Sequence, residues 1–494
     1  MNNLTQSNIC VPGGPRLQVL SEQQCKEIHV ATLEVLERTG VWLNEPEALE
    51  MLRDAGARVA DSLSKNEYGI SRRVLIPWYL VEEALRSAPE KVTIYNRDGK
   101  PAMILEGRKS YFGCNIDSPD YIDPLSGERR KTKLKDIRTG TIIVDNLENI
   151  DWILVAGLPV DVNSKYADRV AAKEVLTNTT KPIVFTCGDY NSLTDIVGMM
   201  QVIAGGPEQL KRKPIGLYLD EPISPLKHDP ESLKRLLKAA EMEVPAIYVP
   251  MPMMGVTAPC TSAGSVLIGN IESLSGLVIH QLRRKGAPYI YGALTSTADM
   301  SQVSFNYGAP ELGLMCTAIA EMSHYYNLPV WGTGGCADSN HLDAQASAEI
   351  TFSLLTAALA GANLIHDIGL MSQGFCVAPE SYILNDEIVS MVKQFMKGIE
   401  VDAKTLCVDL IDEIGPGGNF IDHIHTLDHF REMWMPRFFD RTRFEPQKER
   451  LKLDFHERAR GQIKKILQEH VPKPLPDDVL EGLFEIEGKW RRRA

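Results

Sequence analysis

The sequence predicts an α/β fold, a TIM (β/α)8 barrel with mainly helical additions at its N-terminal and C-terminal ends. Three observations predict it: eight short apolar runs, run starts roughly 30 to 45 residues apart, and intervening segments with apolar residues at three- and four-residue spacing. That spacing leaves room for one strand, one helix and two short loops. Eight alternating units favour the barrel over an open doubly wound sheet.

The predicted strands are rich in Val, Ile, Tyr and Phe, and each is followed by polar or glycine residues. In chain order they are SYFGCNI from Ser110, DWILVAGLPV from Asp151, PIVFTCGD from Pro182, PIGLYLDEP from Pro214, PAIYVPMPM from Pro245, PYIYGALTS from Pro288, PVWGTGG from Pro329 and ANLIHDIG from Ala362. Proline suits the first residue of a strand and ends a preceding helix, so its position before several runs supports these assignments.

The intervening segments predict amphipathic helices, several with Ser or Asp caps. They include SLTDIVGMMQVIAG, DPESLKRLLKAAEM, SAGSVLIGNIESLSGLVIHQLRRKG, APELGLMCTAIAEMSHYYN and DAQASAEITFSLLTAALAGAN. We expect residues 1–108 to form a helical region with a small irregular or β segment near KVTIYNRDGKPAMILEG, 109–400 the barrel, and 401–494 a helical extension. Both additions should pack on the barrel, because no Gly/Ser-rich linker separates them from it.

Composition excludes several classes of protein. A net charge of -12 argues against general nucleic-acid binding, which depends on Lys and Arg neutralising phosphates. The N-terminus lacks the pattern of a signal peptide, and no uninterrupted apolar stretch approaches the ~18 residues of a membrane helix. The nine cysteines contain no C-x-x-C pair and suit a reducing compartment. We therefore expect a cytoplasmic protein with no membrane partner.

In TIM barrels the active site lies at the carboxyl ends of the strands. The residues expected there are Asn115, Asp117, Gly157, Cys187, Asp189, Asp220, Glu221, Met251 to Met254, Thr295, Ser296, Gly334 to Asp338, His366 and Asp367. The nearby aromatic residues are Phe112, Phe185, Tyr190, Tyr218, Tyr248, Tyr291, Trp331 and Phe375. Core packing is the alternative for each one. Together, carboxylates and rings with few basic groups suit an organic cation.

The stretch VWGTGGCADSN, residues 330–340, admits other interpretations. It lacks the lysine of a P-loop, which disfavours phosphate binding. Cys336 could act as a thiol nucleophile with His366 as its base. Zinc is a further alternative, with candidate ligands Cys187, Cys336, Asp338 and His366 near the strand ends. His425 and His429 lie four residues apart in HTLDHF, but HTLDH lacks the glutamate of the H-E-x-x-H motif.

Three segments together resemble the trimethylamine:corrinoid methyltransferase family. They are PMPMMGVTAPCTSAGSVLIGNIESLSGLVIHQLRRKGAPYIYG, GTGGCADSNHLDAQASAE and FIDHIHTLDHFREMWMPRFFDR. The resemblance implies a TIM-barrel enzyme that passes a methyl group from a methylamine to the cobalt of a corrinoid protein. Founding members of the family carry pyrrolysine, whereas this sequence contains only the twenty standard residues. It therefore resembles the non-pyrrolysine branch, whose characterised members demethylate quaternary amines such as glycine betaine.

The absence of pyrrolysine fits the chemistry of demethylating a quaternary amine. A quaternary ammonium leaves as a neutral amine once its methyl is taken, whereas an unprotonated tertiary amine would leave as an unstable amide anion. We therefore predict N-methyl transfer from glycine betaine, giving dimethylglycine, to Co(I) of a corrinoid carried by a partner protein. The same chemistry on proline betaine, carnitine, γ-butyrobetaine or choline is an alternative. A non-catalytic quaternary-amine binder and a zinc-dependent barrel methyltransferase are further alternatives, and the family resemblance allows a homo-oligomer.

The protein is then expected to orient substrate, with no further catalytic residue and no bound metal. An aromatic cage for the ammonium is predicted from Trp331, Tyr218, Tyr248 and Phe375. The carboxylate is predicted to be anchored by His366 and by the backbone N–H groups of Gly334 and Gly335, with Asn115 and Thr295 as further candidates. The segment HTLDHFREMW is expected to pack over the barrel or toward the corrinoid partner, because apolar residues recur regularly at Phe420, Ile424, Leu427, Phe430 and Trp434.

Overall fold

The computed structural model describes residues 14–66, 69–444 and 454–493, and its centre is a closed barrel of eight parallel strands. The strands are β1 (Tyr111–Asn115), β2 (Trp152–Val155), β3 (Ile183–Phe185), β4 (Gly216–Asp220), β5 (Ala246–Tyr248), β6 (Tyr289–Gly292), β7 (Val330–Thr333) and β8 (Leu364–Ile368). Each lies within one of the eight predicted runs, and β8 closes the barrel by pairing with β1. The TIM-barrel prediction is confirmed.

Helices follow the strands and form the outer layer. They are α1 (Leu134–Asn146), α2 (Ala167–Asn178), α3 (Tyr190–Ala204), α4 (Pro230–Met242), α5 (Ser262–Arg283), α6 (Pro310–Tyr326), α7 (Ala344–Ala360) and α8 (Pro379–Met396), with a short additional helix at Pro207–Arg212. Asp189, Asp229, Thr261 and Asp343 cap α3, α4, α5 and α7 by accepting backbone N–H groups.

Alternate strand residues fill the barrel interior, because successive side chains in a strand point to opposite faces. The apolar cluster inside the barrel contains Tyr111, Trp152, Leu154, Val184, Leu217, Leu219, Ile247, Ile290, Trp331 and Leu364. Packing is tight: a Cβ on Gly113 would lie 2.1 Å from the Trp152 ring. The hairpin Val92–Tyr95 and Pro101–Leu105 adds Val92, Ile94, Met103 and Leu105 to the same cluster. This hairpin lies in the segment predicted as irregular or β.

The region before the barrel combines helices with a small sheet. The helices are Glu22–Arg38, Pro46–Asp54 and Trp78–Ser87, and the antiparallel sheet has the order Val41–Leu43, Gly69–Leu75, Arg58–Asn66. All three helices pack against α5. By length and composition α5 could cross a membrane, but 72% of its most apolar window is buried inside the protein. In this fold it is a helix of the barrel's outer layer.

Two small sheets lie beyond the carboxyl ends of the strands. One joins Met253–Met254, Ser296–Asp299 and Ser304–Phe305, and the other joins Leu370–Met371, Cys376–Val377, Asp120–Ile122 and Arg129–Lys131. These insertions come from the loops after β5, β6, β8 and β1, so they build a wall around the mouth of the barrel.

The residues after α8 form short helices at Ala403–Leu406, Val408–Ile414 and Ile424–His429, a 3-10 turn at Phe430–Glu432, and longer helices at Phe455–Glu469 and Asp477–Arg493. Phe455–Glu469 packs on α8 and α1, and Asp477–Arg493 packs on α3. The domain boundaries predicted near 108 and 400 fall between elements and stay a prediction.

Of the two placements expected for the HTLDHFREMW segment, packing over the barrel is contradicted, because Phe420, Ile424, Leu427 and Phe430 are exposed to solvent. The other placement, toward the corrinoid partner, stays a prediction. Of the five apolar positions, Trp434 reaches the barrel layer, where its indole N–H donates to Ser390 Oγ of α8 at 2.8 Å.

Candidate active site at the barrel mouth

Glu221 is the carboxylate that projects into the mouth. It directly follows β4, on the side of the strand shared by Leu217 and Leu219, which face the interior. Its carboxylate forms no hydrogen bond within the described part of the chain, and solvent reaches it through the open mouth. The walls of the mouth nevertheless remove part of its hydration, and this desolvation, with the negative charge of Asp220, raises the pKa of Glu221 to about 7.

His366 and Asp367 form a second polar group at the end of β8. The His366 ring lies 4.3 Å from the Trp331 ring between centroids, and its Nδ1 donates to the Gly332 carbonyl at 2.7 Å. Its Nε2 lies 3.0 Å from Oδ1 of Asp367, whose other carboxylate oxygen accepts from Thr333 Oγ1. Both ring nitrogens therefore face acceptors. Nδ1 is thus occupied by a backbone carbonyl, and Nε2 lies beside a carboxylate whose negative charge repels a substrate carboxylate. This geometry does not support the predicted anchoring role of His366.

Two aromatic rings reach the mouth from the insertion after β6. Phe305 packs on the interior cluster, and its ring centroid lies 4.9 Å from that of Tyr307. Asp338 positions Tyr307 by accepting the backbone N–H groups of Tyr307 and Gly308 at 2.8 and 2.7 Å. Burial, reinforced by the charges of Asp367 and other nearby acids, raises the pKa of the Tyr307 phenol well above its ordinary value. Tyr307 therefore stays neutral and presents a π face with its polar hydroxyl.

Asn115 ends β1 on the interior side, in register with Leu154 of β2. It is 8% exposed, and its Oδ1 is buried without a hydrogen-bond partner within the described residues. An unsatisfied buried polar atom costs free energy that a ligand or water can recover. Oδ1 would need a donor from water or a ligand, while the Asn115 Nδ2, which forms no hydrogen bond within the described residues, is the group that can donate to the polar end of a substrate. Thr295 also has an unpartnered hydroxyl, but its Cγ2 lies 3.5 Å from the Cβ position of Gly269 on α5, in the helix layer.

The structure places Tyr218 and Tyr248 on the other side of the sheet. Tyr218 donates to Asp220 and accepts from Arg235 Nε at 2.8 Å, and Tyr248 lies 2.8 Å from His228 Nδ1. Both rings belong to the core between strands and helices. This placement does not support their predicted role in a cation cage, because the sheet separates them from the interior.

The glycines of the 330–340 stretch have no free backbone donors. The N–H of Gly334 donates to the His366 carbonyl at 3.0 Å, and that of Gly335 donates to Ser353 Oγ at 3.1 Å. The expectation that these groups anchor a carboxylate is therefore corrected. Trp331 does face the interior but is 1% exposed beneath His366, while Phe375 is 56% exposed at the rim.

The thiol and metal alternatives gain no geometric support. Burial raises the pKa of Cys336 well above that of a free thiol and also raises the pKa of Cys187, so neither thiolate is favoured. His425 and His429 have ring centroids 4.4 Å apart, on the segment after α8. Within 14–66, 69–444 and 454–493, no group of three or more His, Cys, Asp or Glu side chains has the arrangement of a metal site.

The sequence profile of the trimethylamine methyltransferase (MTTB) family matches residues 2–491. The chain belongs to the trimethylamine methyltransferase family. Among relatives of this family member, the trimethylamine methyltransferase MttB of Desulfitobacterium hafniense is 33% identical over 486 residues, covering 98% of this chain and 96% of the relative. A glycine betaine methyltransferase of Desulfitobacterium hafniense is 30% identical over 483 residues, covering 96% of this chain and 98% of the relative.

The crystal structure of the monomethylamine methyltransferase MtmB of Methanosarcina barkeri aligns with a TM-score of 0.52, at 9% identity, covering 94% of this chain and 93% of that chain. This likeness shows the fold that the family member shares. The prediction that the chain is a methyltransferase of this family is confirmed by the family match and the named relatives.

Sequence reasoning grouped Glu221 with the strand ends but assigned it no role, and it missed Phe305 and Tyr307. The alternation Leu217, Leu219, Glu221 is a signal that could have placed Glu221 inside the barrel. The two aromatic residues lie 13 and 15 positions beyond the end of β6, where strand periodicity carries no information.

Proposed function

We propose that this methyltransferase takes an N-methyl group from a quaternary amine, glycine betaine in the first place, and transfers it to a corrinoid carried by a partner protein. The corrinoid supplies Co(I), a strong nucleophile. The chain binds the amine, orients one N-methyl group toward the mouth and surrounds the rest of the substrate. The open mouth fits this division, because solvent reaches Glu221 and a substrate beside it could meet an acceptor presented from outside.

The observation that carries the proposal is the environment of Glu221. The Glu221 carboxylate, which accepts no hydrogen bond from the residues that the structure describes, lies in the same mouth as Tyr307 and the His366–Asp367 pair. The guanidinium of Arg235 is held by Asp220, the neighbour of Glu221, at 2.9 and 3.0 Å. A site with unneutralised negative charge and π faces binds a cation that brings no hydrogen-bond donors, which describes a quaternary ammonium.

Substrate orientation follows from the two ends of the site. Glu221 and the Tyr307 ring attract the ammonium, and the Asn115 side chain on β1 can donate from its Nδ2 to a carboxylate at the other end. The name of one relative, a glycine betaine methyltransferase, supports this choice of substrate. The absence of pyrrolysine supports it as well, since a quaternary amine leaves as a neutral molecule and needs no activating electrophile.

The test is a methyl-transfer assay with purified protein, chemically reduced cobalamin and single amines. Glycine betaine should give dimethylglycine and methylcobalamin in equal amounts. The panel should include trimethylamine, proline betaine, carnitine, γ-butyrobetaine and choline, because these share the methylated nitrogen and differ elsewhere. Turnover of another quaternary amine would change the substrate and keep the chemistry. Binding of the whole panel without any turnover would overturn the proposed activity in favour of a binding protein.

A further inference from the structure

Asp220 and Arg235 form a nearly buried ion pair behind β4. Asp220 is 9% exposed, and Arg235, on α4, is 11% exposed. Arg235 Nε donates to Oδ2 of Asp220 at 2.9 Å and its Nη2 donates to Oδ1 at 3.0 Å, while the Tyr218 hydroxyl also donates to Oδ2. A guanidinium that meets a carboxylate through two parallel hydrogen bonds fixes direction as well as distance. The pair is therefore a rigid part of the layer between the strands and the helices.

The pair is bonded to the backbone of Glu221. Oδ1 of Asp220 accepts the Glu221 N–H at 2.9 Å, and the Glu221 carbonyl accepts from Ser232 Oγ of α4 at 3.2 Å. Both backbone polar groups of Glu221 are thus held from the helix side. Because successive side chains along a strand point to opposite faces, Asp220 faces α4 and Glu221 faces the mouth. The pair can therefore act on Glu221 without contacting a substrate.

Arg235 also joins the ends of two neighbouring strands. Its Nη1 donates to the Gly188 carbonyl at 3.2 Å, in the loop after β3, and β3 pairs with β4. One side chain thus ties the loop after β3 and the end of β4 to helix α4. Lysine keeps the charge of arginine but carries a single ammonium group, so it cannot reproduce the bonds to both Asp220 oxygens and to Gly188 in one geometry. An Arg235→Lys substitution therefore separates the geometry of the pair from its charge.

We propose that Asp220 and Arg235 are positioning residues for methyl transfer, which direct the Glu221 carboxyl into the mouth and set the electrostatic field around it. This inference rests on the proposed attraction between Glu221 and the substrate ammonium. The bond from Asp220 to the Glu221 backbone distinguishes this role from stability alone, because it transmits any shift of the pair to a side chain that faces the substrate. A shift of about 1 Å in a positioning group is enough to change activity by up to two orders of magnitude.

The charges around Glu221 make the role of Asp220 testable. The ionisable groups that face Glu221 within the described residues are Asp220 on β4, His366 and Asp367 on β8, and Tyr307 in the insertion after β6. After desolvation, the negative charge of Asp220 is the largest cause that raises the pKa of Glu221, while His366 lowers this pKa and Asp367 raises it. Removing the Asp220 charge should therefore lower the pKa of Glu221. The pH at which KM for glycine betaine falls should move down with it.

The experiment compares the full chain with Asp220→Asn, with Arg235→Lys and with the control Lys234→Arg, an equally conservative change at an exposed position of α4. Initial rates of methyl transfer to reduced cobalamin give KM for glycine betaine from about pH 5.5 to 9. In Asp220→Asn the midpoint of the pH dependence should lie at least ~1 pH unit below that of the wild type. In Arg235→Lys the midpoint should stay close to that of the wild type, while KM rises by roughly 3- to 30-fold because the carboxyl is displaced. Lys234→Arg should match the wild type in both quantities.

A second readout needs no substrate. Because the raised pKa of Glu221 costs stability at high pH, Glu221→Gln should raise Tm at pH 8. In the Asp220→Asn background the same substitution should raise Tm by less than half as much, since the Glu221 carboxyl then ionises more easily. Asp220→Asn also leaves Arg235 without its carboxylate and lowers stability. Asp220→Asn with Arg235→Gln removes both charges, and this variant should move the midpoint of the pH dependence in the same direction.

Far-UV circular dichroism checks the folding of each variant. The proposal is overturned if both variants that lack the Asp220 charge keep the wild-type midpoint, or if Glu221→Gln raises Tm equally in the two backgrounds. Absence of turnover with every quaternary amine would instead contradict the proposed function. The comparison of Tm values would still decide whether the pair acts on Glu221, so the two failures are distinguishable.

Discussion

Replacing Glu221 with glutamine removes the charge in the barrel mouth and keeps the shape of the side chain. If the carboxylate attracts the substrate ammonium, Glu221→Gln should raise KM for glycine betaine and lower kcat much less. The nitrogen keeps most of its positive charge until the methyl group leaves, so the carboxylate stabilises the bound substrate and the transition state to similar degrees. Losing an interaction of this kind weakens binding and changes the rate of the bound substrate little.

The magnitude follows from Coulomb's law. Methyl groups keep the nitrogen about 5 Å from a carboxylate oxygen, and at an effective dielectric constant of ~20 two unit charges at that distance attract by about 3 kcal/mol. Solvent in the open mouth weakens the attraction. We therefore expect about 1.5 to 3 kcal/mol, which corresponds to a rise in KM of roughly 10- to 100-fold.

The pH dependence provides a second readout. Burial, with Asp220, raises the pKa of Glu221 to about 7 from an ordinary value of 4.5. The carboxyl is therefore mostly neutral at pH 6 and mostly charged at pH 8, so KM for glycine betaine should fall by roughly 5- to 10-fold over that range. Because the raised pKa makes the folded state bind more protons, stability is lost as pH rises from 4.5 to 7. Glu221→Gln should thus raise Tm at pH 8 and leave it nearly unchanged at pH 4.5.

The assay is initial-rate methyl transfer to reduced cobalamin at pH 6, 7 and 8. Glu208→Gln is the matched control, since Glu208 is 73% exposed on the short helix Pro207–Arg212. The reasoning is refuted if Glu221→Gln leaves KM unchanged, or if the variant keeps the wild-type dependence of KM on pH.

Three further outcomes test the rest of the site. Asn115→Leu should raise KM for glycine betaine by roughly 5- to 30-fold and leave choline unaffected, because choline has no carboxylate to lose an amide partner; an equal effect on both would contradict the anchoring role. Tyr307→Leu should raise KM for every quaternary amine by roughly 3- to 30-fold while Tyr307→Phe changes it little, since the ring supplies the attraction. Gly113→Ala should lower stability by about 1 to 3 kcal/mol in a thermal unfolding assay, because its Cβ would overlap the Trp152 ring at 2.1 Å; an unchanged Tm would show that the interior can repack.

The strands could be predicted because each is a short apolar run with clear limits. The run PIGLYLDEP contains β4, Gly216–Asp220, and the polar residues that follow it mark the strand's end. The sequence does not show as easily which side chains of a strand face the barrel interior. Strands buried on both sides are apolar at every position, so Tyr218 and Leu219 look equally suited to the interior. That ambiguity explains why Tyr218 and Tyr248 were expected in the cage although they face the helices.

The periodicity of apolar residues could not predict the placement of two other parts of the molecule. Phe305 and Tyr307 reach the mouth because Asp338, 31 residues after Tyr307, accepts the backbone N–H of Tyr307, a contact between two loops that sequence spacing does not encode. The segment 399–433, which follows α8, shows the opposite failure. Its apolar residues recur with helical regularity, which predicts burial, yet periodicity cannot tell whether the covering surface belongs to the same chain.

The contact made by Glu221 also bears on which amine the enzyme prefers. A protonated tertiary amine carries one N–H, which could donate directly to Glu221 in a charge-assisted hydrogen bond, whereas a quaternary ammonium interacts with that carboxylate through charge alone. Glu221→Gln should therefore cost a tertiary substrate more than a quaternary one. A tertiary amine held in this way would also direct its N–H toward Glu221, which fixes the methyl groups away from that side chain. The rise in KM caused by Glu221→Gln is therefore compared between a tertiary and a quaternary amine. A larger rise for the tertiary amine indicates that Glu221 accepts a hydrogen bond from it, and equal rises indicate attraction by charge alone, whichever amine turns over faster.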